Sequence, residues 1–254
     1  MRDDVRMKNV LLVTGASRGI GAATALLAAT SGYAVCINYR TRRDEAEQTV
    51  AAIKRAGGIA IHAAADVSKP DEVQRLFAQI DTELGTITAL VNNAGILERQ
   101  MRLEDMDADR IGRVFATNVV GSFLCARAAV RRMARSRGGR GGAIVNVSSM
   151  AARLGSPNEY IDYAASKGAI DTMTIGLARE VAHEGIRVNA VRPGLIDTEM
   201  HASGGEPGRI DRLKSSVPLQ RGGTAEEVAR AILWLLSDEA SYTTGSFIDV
   251  SGGR

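Results

Sequence analysis

The feature that most constrains the fold of this chain is an alternation that begins near residue 10. Short apolar runs rich in β-branched residues are followed by longer segments in which apolar residues recur at helical spacing. Strands that alternate with helices pair in parallel, because each helical connection crosses back over the sheet. We therefore expect a doubly wound α/β fold with helices on both faces of a parallel sheet. The seven predicted strands span residues 10–14, 34–39, 59–63, 89–92, 143–147, 187–191 and 246–250.

The composition agrees with a globular protein of ordinary character. The 254 residues are 45% hydrophobic and 24% charged, and no internal repeat or Pro/Ser-rich linker divides them. We expect a single domain over residues 1–254. The formal charge of +3 is too small to predict nucleic-acid binding. The two cysteines, Cys36 and Cys125, lack the spacing of disulfide or zinc sites, so we expect both to be buried as small hydrophobic residues.

The amino-terminal region carries charges of both signs and leads directly into the first predicted strand. Residues 1–9 therefore lack the apolar stretch that a signal peptide requires. No segment reaches the apolar length of a membrane span, so the sequence predicts a cytoplasmic protein without a membrane partner.

The first predicted strand is followed by a glycine-rich turn, Thr14 to Gly21, and then by a segment with strong helix propensity, Ala22 to Ala29. Three glycines permit a tight turn and close approach of a ligand, and the helix start presents free N–H groups to a pyrophosphate. The spacing is G-x-x-x-G-x-G, which differs from the G-x-G-x-x-G fingerprint, and a plain turn with helix-packing glycines is the alternative. The residues predicted to bind the dinucleotide here are Gly15, Ser17, Arg18, Gly19, Ile20 and Gly21.

The end of the second predicted strand indicates which dinucleotide is preferred. An acidic side chain at this place holds the ribose 2′-hydroxyl, whereas a basic one accommodates a 2′-phosphate. This chain carries Arg40, Arg42 and Arg43 there, and Asp44 comes too late. The sequence predicts NADP(H) as the preferred cofactor and NAD(H) as a second one, with a solvated basic loop as the alternative. The predicted contacts are Asn38, Tyr39, Arg40 and Thr41.

A tyrosine and a lysine four residues apart begin the helix predicted over residues 163–184. Tyr163 and Lys167 then share one helix face, so the phenol and the ammonium are neighbours. A free phenol has a pKa of about 10 and is a poor proton acceptor at neutral pH. A cation about 4 Å away at an effective dielectric of about 20 contributes about 4 kcal/mol, equivalent to roughly three pKa units. We expect Tyr163 to be a general acid/base whose pKa Lys167 lowers, although this spacing alone more often marks a helix surface pair.

Two further polar positions belong to the predicted catalytic set. The fifth strand ends in Ser148 and Ser149, and the carboxyl end of a parallel strand is where open α/β sheets bind ligands. Ser149 is the preferred substrate contact, with Ser148 left open. Asn118 interrupts a helical stretch over residues 115–132, where asparagine is unfavourable unless its amide or a disturbed backbone bond is used, so we predict a role in a proton relay. Tyr160 lacks a lysine four residues later and is predicted to line the substrate pocket.

These motifs occur together and in order along the chain. With Asn92-Asn93-Ala94-Gly95 and Pro193-Gly194 added to the glycine turn and the catalytic set, the chain resembles the short-chain dehydrogenase/reductase family over essentially its whole length. The resemblance implies a Rossmann-like fold and an enzyme that moves a hydride between nicotinamide and an alcohol/carbonyl pair. It also implies a homotetramer that pairs helices 115–132 and 163–184 across subunits.

The resemblance implies further cofactor contacts. Asp66 and Val67 would bracket the adenine, and Asn92, Ala94 and Gly95 would line the adenine ribose. The nicotinamide carboxamide would be held by Pro193, Gly194, Ile196 and Thr198.

The substrate and the class of function retain alternatives. The polar segment 197–216 after the sixth strand contains Gly and no aromatic residue, which predicts a mobile cover and a small polar substrate. Within the family the chain is similar to bacterial sugar dehydrogenases and to 3-oxoacyl-carrier-protein reductases, and the second activity is the main alternative. A dinucleotide-binding regulator without chemistry is the alternative from another class. An arginine-rich stretch over residues 127–140 lacks the aromatic residues of a nucleic-acid patch, and the three isolated histidines predict no metal site.

Overall fold

A computed structural model describes residues 9–254, so the predicted absence of a signal peptide concerns residues that lie almost wholly outside the described chain. The described residues form a seven-stranded sheet in the order β3-β2-β1-β4-β5-β6-β7, and every neighbouring pair is parallel. The strands are β1 Asn9–Val13, β2 Tyr33–Tyr39, β3 Ile59–Ala64, β4 Ala89–Asn92, β5 Gly142–Val147, β6 Ile186–Pro193 and β7 Phe247–Val250. The predicted α/β fold class, doubly wound and Rossmann-like, is confirmed.

The ten helices of the described part of the chain cover both faces of this sheet. They are α1 Gly19–Thr30, α2 Arg43–Arg55, α3 Pro70–Glu83, α4 Ala108–Phe115, α5 Gly121–Met133, α6 Ala151–Leu154, α7 Ile161–Val181, α8 Met200–Ser203, α9 Arg209–Leu213 and α10 Ala225–Leu236. One core cluster joins α3, α5 and α7 to the sheet, and a second joins α1, α2 and α10 to the opposite face. Within residues 9–254, no helix has the length and apolar character needed to cross a bilayer.

The central strands are buried on both faces, which is why they are continuous apolar runs rather than alternating ones. Along β1, Val10 and Leu12 belong to one core cluster, whereas Leu11 and Val13 belong to the other. Cys36 and Cys125 are free and buried, as predicted, and burial raises the pKa of both thiols. Both cysteines are therefore core residues.

Three parts of the structure differ from the sequence prediction. β6 continues to Pro193 because Arg192 and Pro193 pair with β7. The segment 197–216 contains α8, α9 and a short 3₁₀ helix at Lys214–Ser216 instead of a continuous loop. The helical stretch 115–132 is divided by a π-helical turn at Ala116–Val120, with Asn118 at its centre, and a disturbed backbone was one of the two alternatives considered for that asparagine.

The order of the strands determines where a ligand can bind. The chain runs outward from β1 through β2 to β3 and then crosses to β4 on the other side of β1. The connections that leave the carboxyl ends of β1 and β4 therefore diverge to opposite faces and leave a crevice between them.

Candidate active site

The glycine turn after β1 is shaped by close contacts that a side chain would obstruct. Gly15 has φ of +61°, and a Cβ there would lie 2.8 Å from the Cα of Ala94. A Cβ on Gly21 would lie 2.7 Å from the Cα of Ala16, so Gly21 lets the turn fold onto its own helix. α1 begins at Gly19, and the amides of its first turn have no acceptor one turn earlier in the helix. The chemistry of this turn fits a pyrophosphate group.

Asn93, at the end of β4, fastens the glycine turn to the neighbouring strand. Its amide nitrogen Nδ2 donates to the carbonyl oxygens of Thr14 at 2.8 Å and Gly15 at 3.0 Å. Its backbone N–H donates to Thr14 Oγ1 at 3.0 Å. Asn93 belongs to the motif from Asn92 to Gly95 that the resemblance places beside the adenine ribose, but its bonds to the glycine turn were not predicted.

A cavity extends from the glycine turn across the carboxyl ends of β2 and β3. Asn92 and Gly21, which were predicted to contact the cofactor, do not line it. Asn92 is buried beneath the crevice, where its Nδ2 donates to Asn146 Oδ1 at 2.9 Å, and Gly21 lies behind the turn. Their contact with a cofactor stays a prediction, and in this structure both support residues that face the cavity. The predicted residues that line it are Gly15, Ser17, Arg18, Gly19, Ile20, Asn38, Tyr39, Arg40, Thr41, Asp66, Val67, Ala94, Gly95 and Thr198.

The end of this cavity beside β2 is rich in arginine. Arg18, Arg40 and Arg42 line it, and Arg40 is 56% exposed at the end of β2. Glu199 forms an ion pair with Arg18 and lies 4.0 Å from Arg42. Arg42 was not among the predicted contacts, although it belongs to the same basic run. Asn38 is used structurally, since its Oδ1 accepts the N–H of Gly15 at 3.2 Å and its Nδ2 donates to Ala65 O at 3.0 Å.

A second cavity continues from the first and contains the predicted proton-transfer residues. Ile20, Asn93 and Leu97 line both cavities, so the two form one crevice. The second cavity brings together the predicted residues Ser149, Tyr163, Lys167, Pro193, Gly194, Ile196 and Thr198. Within residues 9–254, no group of three His, Cys, Asp or Glu side chains lies close enough to hold a metal ion.

Tyr163 and Lys167 face this cavity from successive turns of α7. The Lys167 Nζ lies 5.6 Å from the centroid of the Tyr163 ring and donates to the carbonyl oxygen of Val147 at 2.7 Å. Burial lowers the pKa of the Lys167 ammonium to about 8, and the Asp171 carboxylate acts in the opposite direction. Burial raises the pKa of the Tyr163 phenol, and an interaction with the Ser149 hydroxyl acts against that rise. The phenol pKa is therefore raised in this structure and not lowered as expected, because desolvation outweighs the interaction with Ser149.

The two serines that end β5 have different environments. Ser148 is buried, and its hydroxyl donates to Asp171 Oδ1 at 2.6 Å. Ser149 faces the cavity, and its Oγ accepts the N–H of Ala151 at 3.1 Å, which leaves its hydroxyl hydrogen for another acceptor. This geometry favours Ser149 over Ser148 as the hydroxyl that meets a substrate.

Asn118 lies behind the crevice and does not line either cavity. Its Oδ1 accepts the N–H of Ile96 at 2.8 Å, and its Nδ2 donates to the Ser166 hydroxyl at 3.1 Å. A Cβ on Gly95 would lie 3.4 Å from the Asn118 Oδ1 and 3.6 Å from the Lys167 Nζ. Asn118 and Lys167 therefore approach the same point from two helices.

A buried ion pair supports the start of α7 and was not found from the sequence. Arg110 on α4 donates to Asp162 at 2.8 Å, and both side chains are nearly inaccessible to solvent. Asp162 immediately precedes Tyr163, so the pair fixes the end of the helix that carries the phenol. Charged residues at helical positions are usually exposed, and the two partners are 52 residues apart, so no local pattern indicates the pair. Tyr160 lines the second cavity as predicted, and its hydroxyl donates to Gly204 O at 3.3 Å.

Comparison with known proteins identifies the class that this fold and crevice define. A family model described as Enoyl-(Acyl carrier protein) reductase matches residues 15–254. The chain therefore belongs to the short-chain dehydrogenase/reductase family, and it is an oxidoreductase of the kind that uses a nicotinamide cofactor on small molecules.

Individual relatives cover nearly the whole chain. It is 62% identical over 245 residues to the "Uncharacterized oxidoreductase YgfF" of Escherichia coli (strain K12), with 96% of this chain and 99% of that protein aligned. It is 38% identical over 249 residues to the 3-oxoacyl-(acyl-carrier-protein) reductase FabG of Staphylococcus epidermidis, with 97% and 99% aligned. A short-chain type dehydrogenase/reductase from Mycobacterium marinum superposes with a TM-score of 0.91 at 36% identity, over 97% of this chain and 96% of that one.

Proposed function

We propose that the chain is an NADP(H)-dependent oxidoreductase that interconverts a small polar alcohol and its carbonyl compound, with Tyr163 as the general acid/base. The observation that carries this proposal is the single crevice in which the glycine turn and the Tyr163–Lys167 pair line adjoining cavities. A cofactor laid along the crevice has its pyrophosphate at the start of α1 and its nicotinamide end beside Tyr163. A bound nicotinamide supplies or accepts the hydride.

The residues of the second cavity have separate roles in proton transfer and in positioning the cofactor and substrate. During reduction, the Tyr163 hydroxyl donates its proton to the carbonyl oxygen as the carbonyl carbon gains the hydride, and Ser149 donates a hydrogen bond to the same oxygen. The raised phenol pKa keeps that proton available at neutral pH. Lys167 binds the nicotinamide ribose and, as an ammonium, stabilises the phenolate that forms. Asn118 holds the relay that returns a proton to the phenol. Pro193, Gly194, Ile196 and Thr198 position the nicotinamide.

The preference for NADP(H) is supported by charge at the end of β2. Arg18, Arg40 and Arg42 surround the place where a 2′-phosphate would lie, and β2 ends in Tyr39 without a carboxylate. Asp66 lies 4.0 Å from Arg40 and lines the same cavity, which supports the predicted contact of Asp66 with the adenine. The guanidinium groups match phosphate oxygens in geometry and charge.

The test is an absorbance assay with NADPH and NADH against sugars, ketones and short 3-oxoacyl thioesters. We expect turnover with NADPH, and we expect Tyr163→Phe to lower kcat by about 10²–10⁴-fold, the usual contribution of a positioned general acid. The variant keeps its affinity for NADPH, measured by nicotinamide fluorescence. Tyr242→Phe, which removes a fully exposed phenol, is the matched control. Full activity in Tyr163→Phe would contradict the assignment.

The second candidate is reduction of a 3-oxoacyl thioester. It is favoured by the names of the relatives, several of which are 3-oxoacyl-(acyl-carrier-protein) reductases at 37–40% identity. A preference for the thioesters over sugars and ketones in the same assay would select it. NADPH binding without turnover of any compound would instead favour the non-catalytic regulator.

A further inference from the structure

The substrate end of the crevice contains more cations than its internal ion pairs neutralise. Lys167, Arg209 and Arg254 line the second cavity, and Glu159 is its lining carboxylate. The charge of Arg209 is neutralised by ion pairs, since its Nη2 lies 2.5 Å from Glu159 and its Nη1 lies 3.2 Å from Glu206. Lys167 is already assigned to the reaction.

Arg254 is the cation that remains. Across residues 9–254, no Asp or Glu carboxylate forms a salt bridge with its guanidinium. His201 also lines the cavity, but burial lowers the pKa of its imidazole, so it adds no charge at neutral pH. A guanidinium remains charged under all ordinary conditions and has five donors to satisfy. An unpaired one at the edge of a substrate cavity is suited to an anionic ligand.

The backbone around Arg254 is anchored to the floor of the same cavity. A Cβ on Gly194 would lie 2.7 Å from the Cα of Ser251, so the turn that ends in Arg254 packs directly on the end of β6. The Ser251 hydroxyl donates to the main-chain oxygen of Arg254 at 3.1 Å. The N–H of Leu219 donates to the carbonyl oxygen of Gly252, also at 3.1 Å. Arg254 therefore lies in a turn that is fixed by these contacts next to Pro193 and Gly194.

Part of the wall of the second cavity is apolar. Leu97, Met150, Leu154 and Met200 line the cavity and offer no group that could neutralise an anion or bind it elsewhere. We propose that Arg254 determines specificity by binding an anionic group on the substrate, so that the enzyme acts on oxo acids or phosphorylated ketones in preference to neutral carbonyl compounds. This inference rests on the proposed function and names its substrate class.

The guanidinium group should distinguish strongly between an anionic substrate and its neutral analogue. Arginine binds a carboxylate or phosphate with two parallel charge-assisted hydrogen bonds, whereas an ester or a hydroxyl offers a weaker, uncharged acceptor. A site built for an anion rejects its neutral analogue, because that analogue displaces water from the arginine without giving it a charged partner.

The experiment uses two matched pairs of substrates with NADPH. One pair is 4-oxopentanoate and its methyl ester, and the other is dihydroxyacetone phosphate and dihydroxyacetone. We expect the wild-type protein to prefer the anionic member of at least one pair by 10-fold or more in kcat/KM. Arg254→Gln should lower kcat/KM for that anion by about 10- to 100-fold and change the value for its neutral partner by less than about 3-fold.

Two further variants make the result specific. Arg153→Gln removes a nearby positive charge that is paired with Asp249 and does not line the cavity, so it should leave the preference unchanged. Arg254→Lys should keep part of the preference, because it retains the charge and loses the paired hydrogen bonds. Discrimination in the first pair assigns a carboxylate, and discrimination in the second assigns a phosphate.

The outcomes separate this inference from the function on which it rests. Turnover of both members of each pair at equal efficiency, or an equal loss for anion and neutral partner in Arg254→Gln, overturns the role of Arg254 and leaves the proposed function intact. Absence of turnover for every compound and both cofactors overturns the proposed function, and the inference falls with it.

Discussion

Three polar residues at four-residue intervals on α7 determine the charge available for proton transfer. Tyr163, Lys167 and Asp171 lie on one face of the helix, so each interacts with the next. The protein around Lys167 favours its neutral form, and Asp171 favours the ammonium. Ser148 bonds to Asp171, and Arg192 contacts the other carboxylate oxygen at 2.9 Å, so Asp171 is itself fixed. In the proposed mechanism, the charge of the lysine that stabilises the phenolate thus depends on Asp171, two helical turns from Tyr163.

The pKa of Lys167 predicts the pH dependence of carbonyl reduction. The pKa of about 8 lies below the usual lysine value, so the ammonium predominates below pH 8 and is lost as the pH rises through that value. We expect kcat/KM for NADPH to be level below about pH 8 and to fall above it. Asp171→Asn removes the carboxylate that favours the charged form and should move the fall to lower pH by about one unit.

The matched control for this measurement is Asp249→Asn. Asp249 also contacts Arg192, at 3.4 Å, but it does not act on Lys167. The pH profile of Asp249→Asn should match that of the wild type. A profile for Asp171→Asn that coincides with both would show that Asp171 does not tune the lysine.

Among the helices and strands, the sequence predicts those features that depend on residues close together in the chain. The strands and the glycine turn were predictable because periodicity and backbone sterics act over a few residues. Asn118 marked an irregular position, because asparagine is unfavourable within a helix, but it did not specify a π-helical turn. The end of β6 was misplaced because its last residues are ordered by pairing with β7, some 57 residues away along the chain.

The surroundings of individual site residues were unpredictable for the same reason. Asn92 shares a motif with Ala94, but the pleat of β4 turns its side chain beneath the crevice toward Asn146. The raised pKa of Tyr163 depends on how much water the surrounding elements exclude. The helical spacing between Tyr163 and Lys167 carries no information about that exclusion. Local sequence pattern therefore indicated which residues belong to the candidate site, whereas the burial and the partners of each side chain could be read only from the packed structure.

The Arg110–Asp162 pair makes a prediction about the packing of α4 on α7. Both charges are buried, so removing one leaves the other without compensation. We expect Arg110→Met to lower the free energy of unfolding by about 3–5 kcal/mol in urea titrations. The double variant Arg110→Met with Asp162→Leu should recover much of that loss, because no uncompensated charge remains. Equal stability of the single variant and the wild type would show that the pair contributes nothing.

At the scale of the whole molecule, two helices have apolar surface that the described chain does not cover. Phe123 on α5 is 50% exposed, Val120 immediately before α5 is 48% exposed, and Ile175 on α7 is 39% exposed. We propose that these surfaces pair in a homotetramer. Phe123→Glu should then produce a smaller species by light scattering at micromolar concentration, because it places charge in an apolar interface. Leu103→Glu, which alters an exposed leucine outside α5 and α7, is the control, and an unchanged mass for Phe123→Glu would contradict the interface.

Cofactor binding across β1, β2 and β4 should stabilise the entire fold, which makes thermal unfolding a test of the NADP(H) assignment that needs no substrate. A ligand at 100 times its Kd adds about 2.7 kcal/mol to the free energy of unfolding. For a chain of 254 residues this corresponds to a rise in Tm of about 5–10 °C. We expect NADPH to produce this rise and NADH at the same concentration to produce a smaller one.

Exchange of one arginine should reverse that order. Arg40→Asp places a carboxylate at the end of β2, where it repels a 2′-phosphate and accepts a hydrogen bond from a 2′-hydroxyl. The rise in Tm with NADPH should shrink, and the rise with NADH should grow. Arg43→Asp alters the same basic run at a residue that pairs with Glu47 and does not line the cavity, so it should keep the wild-type order. If Arg40→Asp left both rises unchanged, the phosphate would have to be held by Arg18 and Arg42 alone, and the assignment of Arg40 would be wrong.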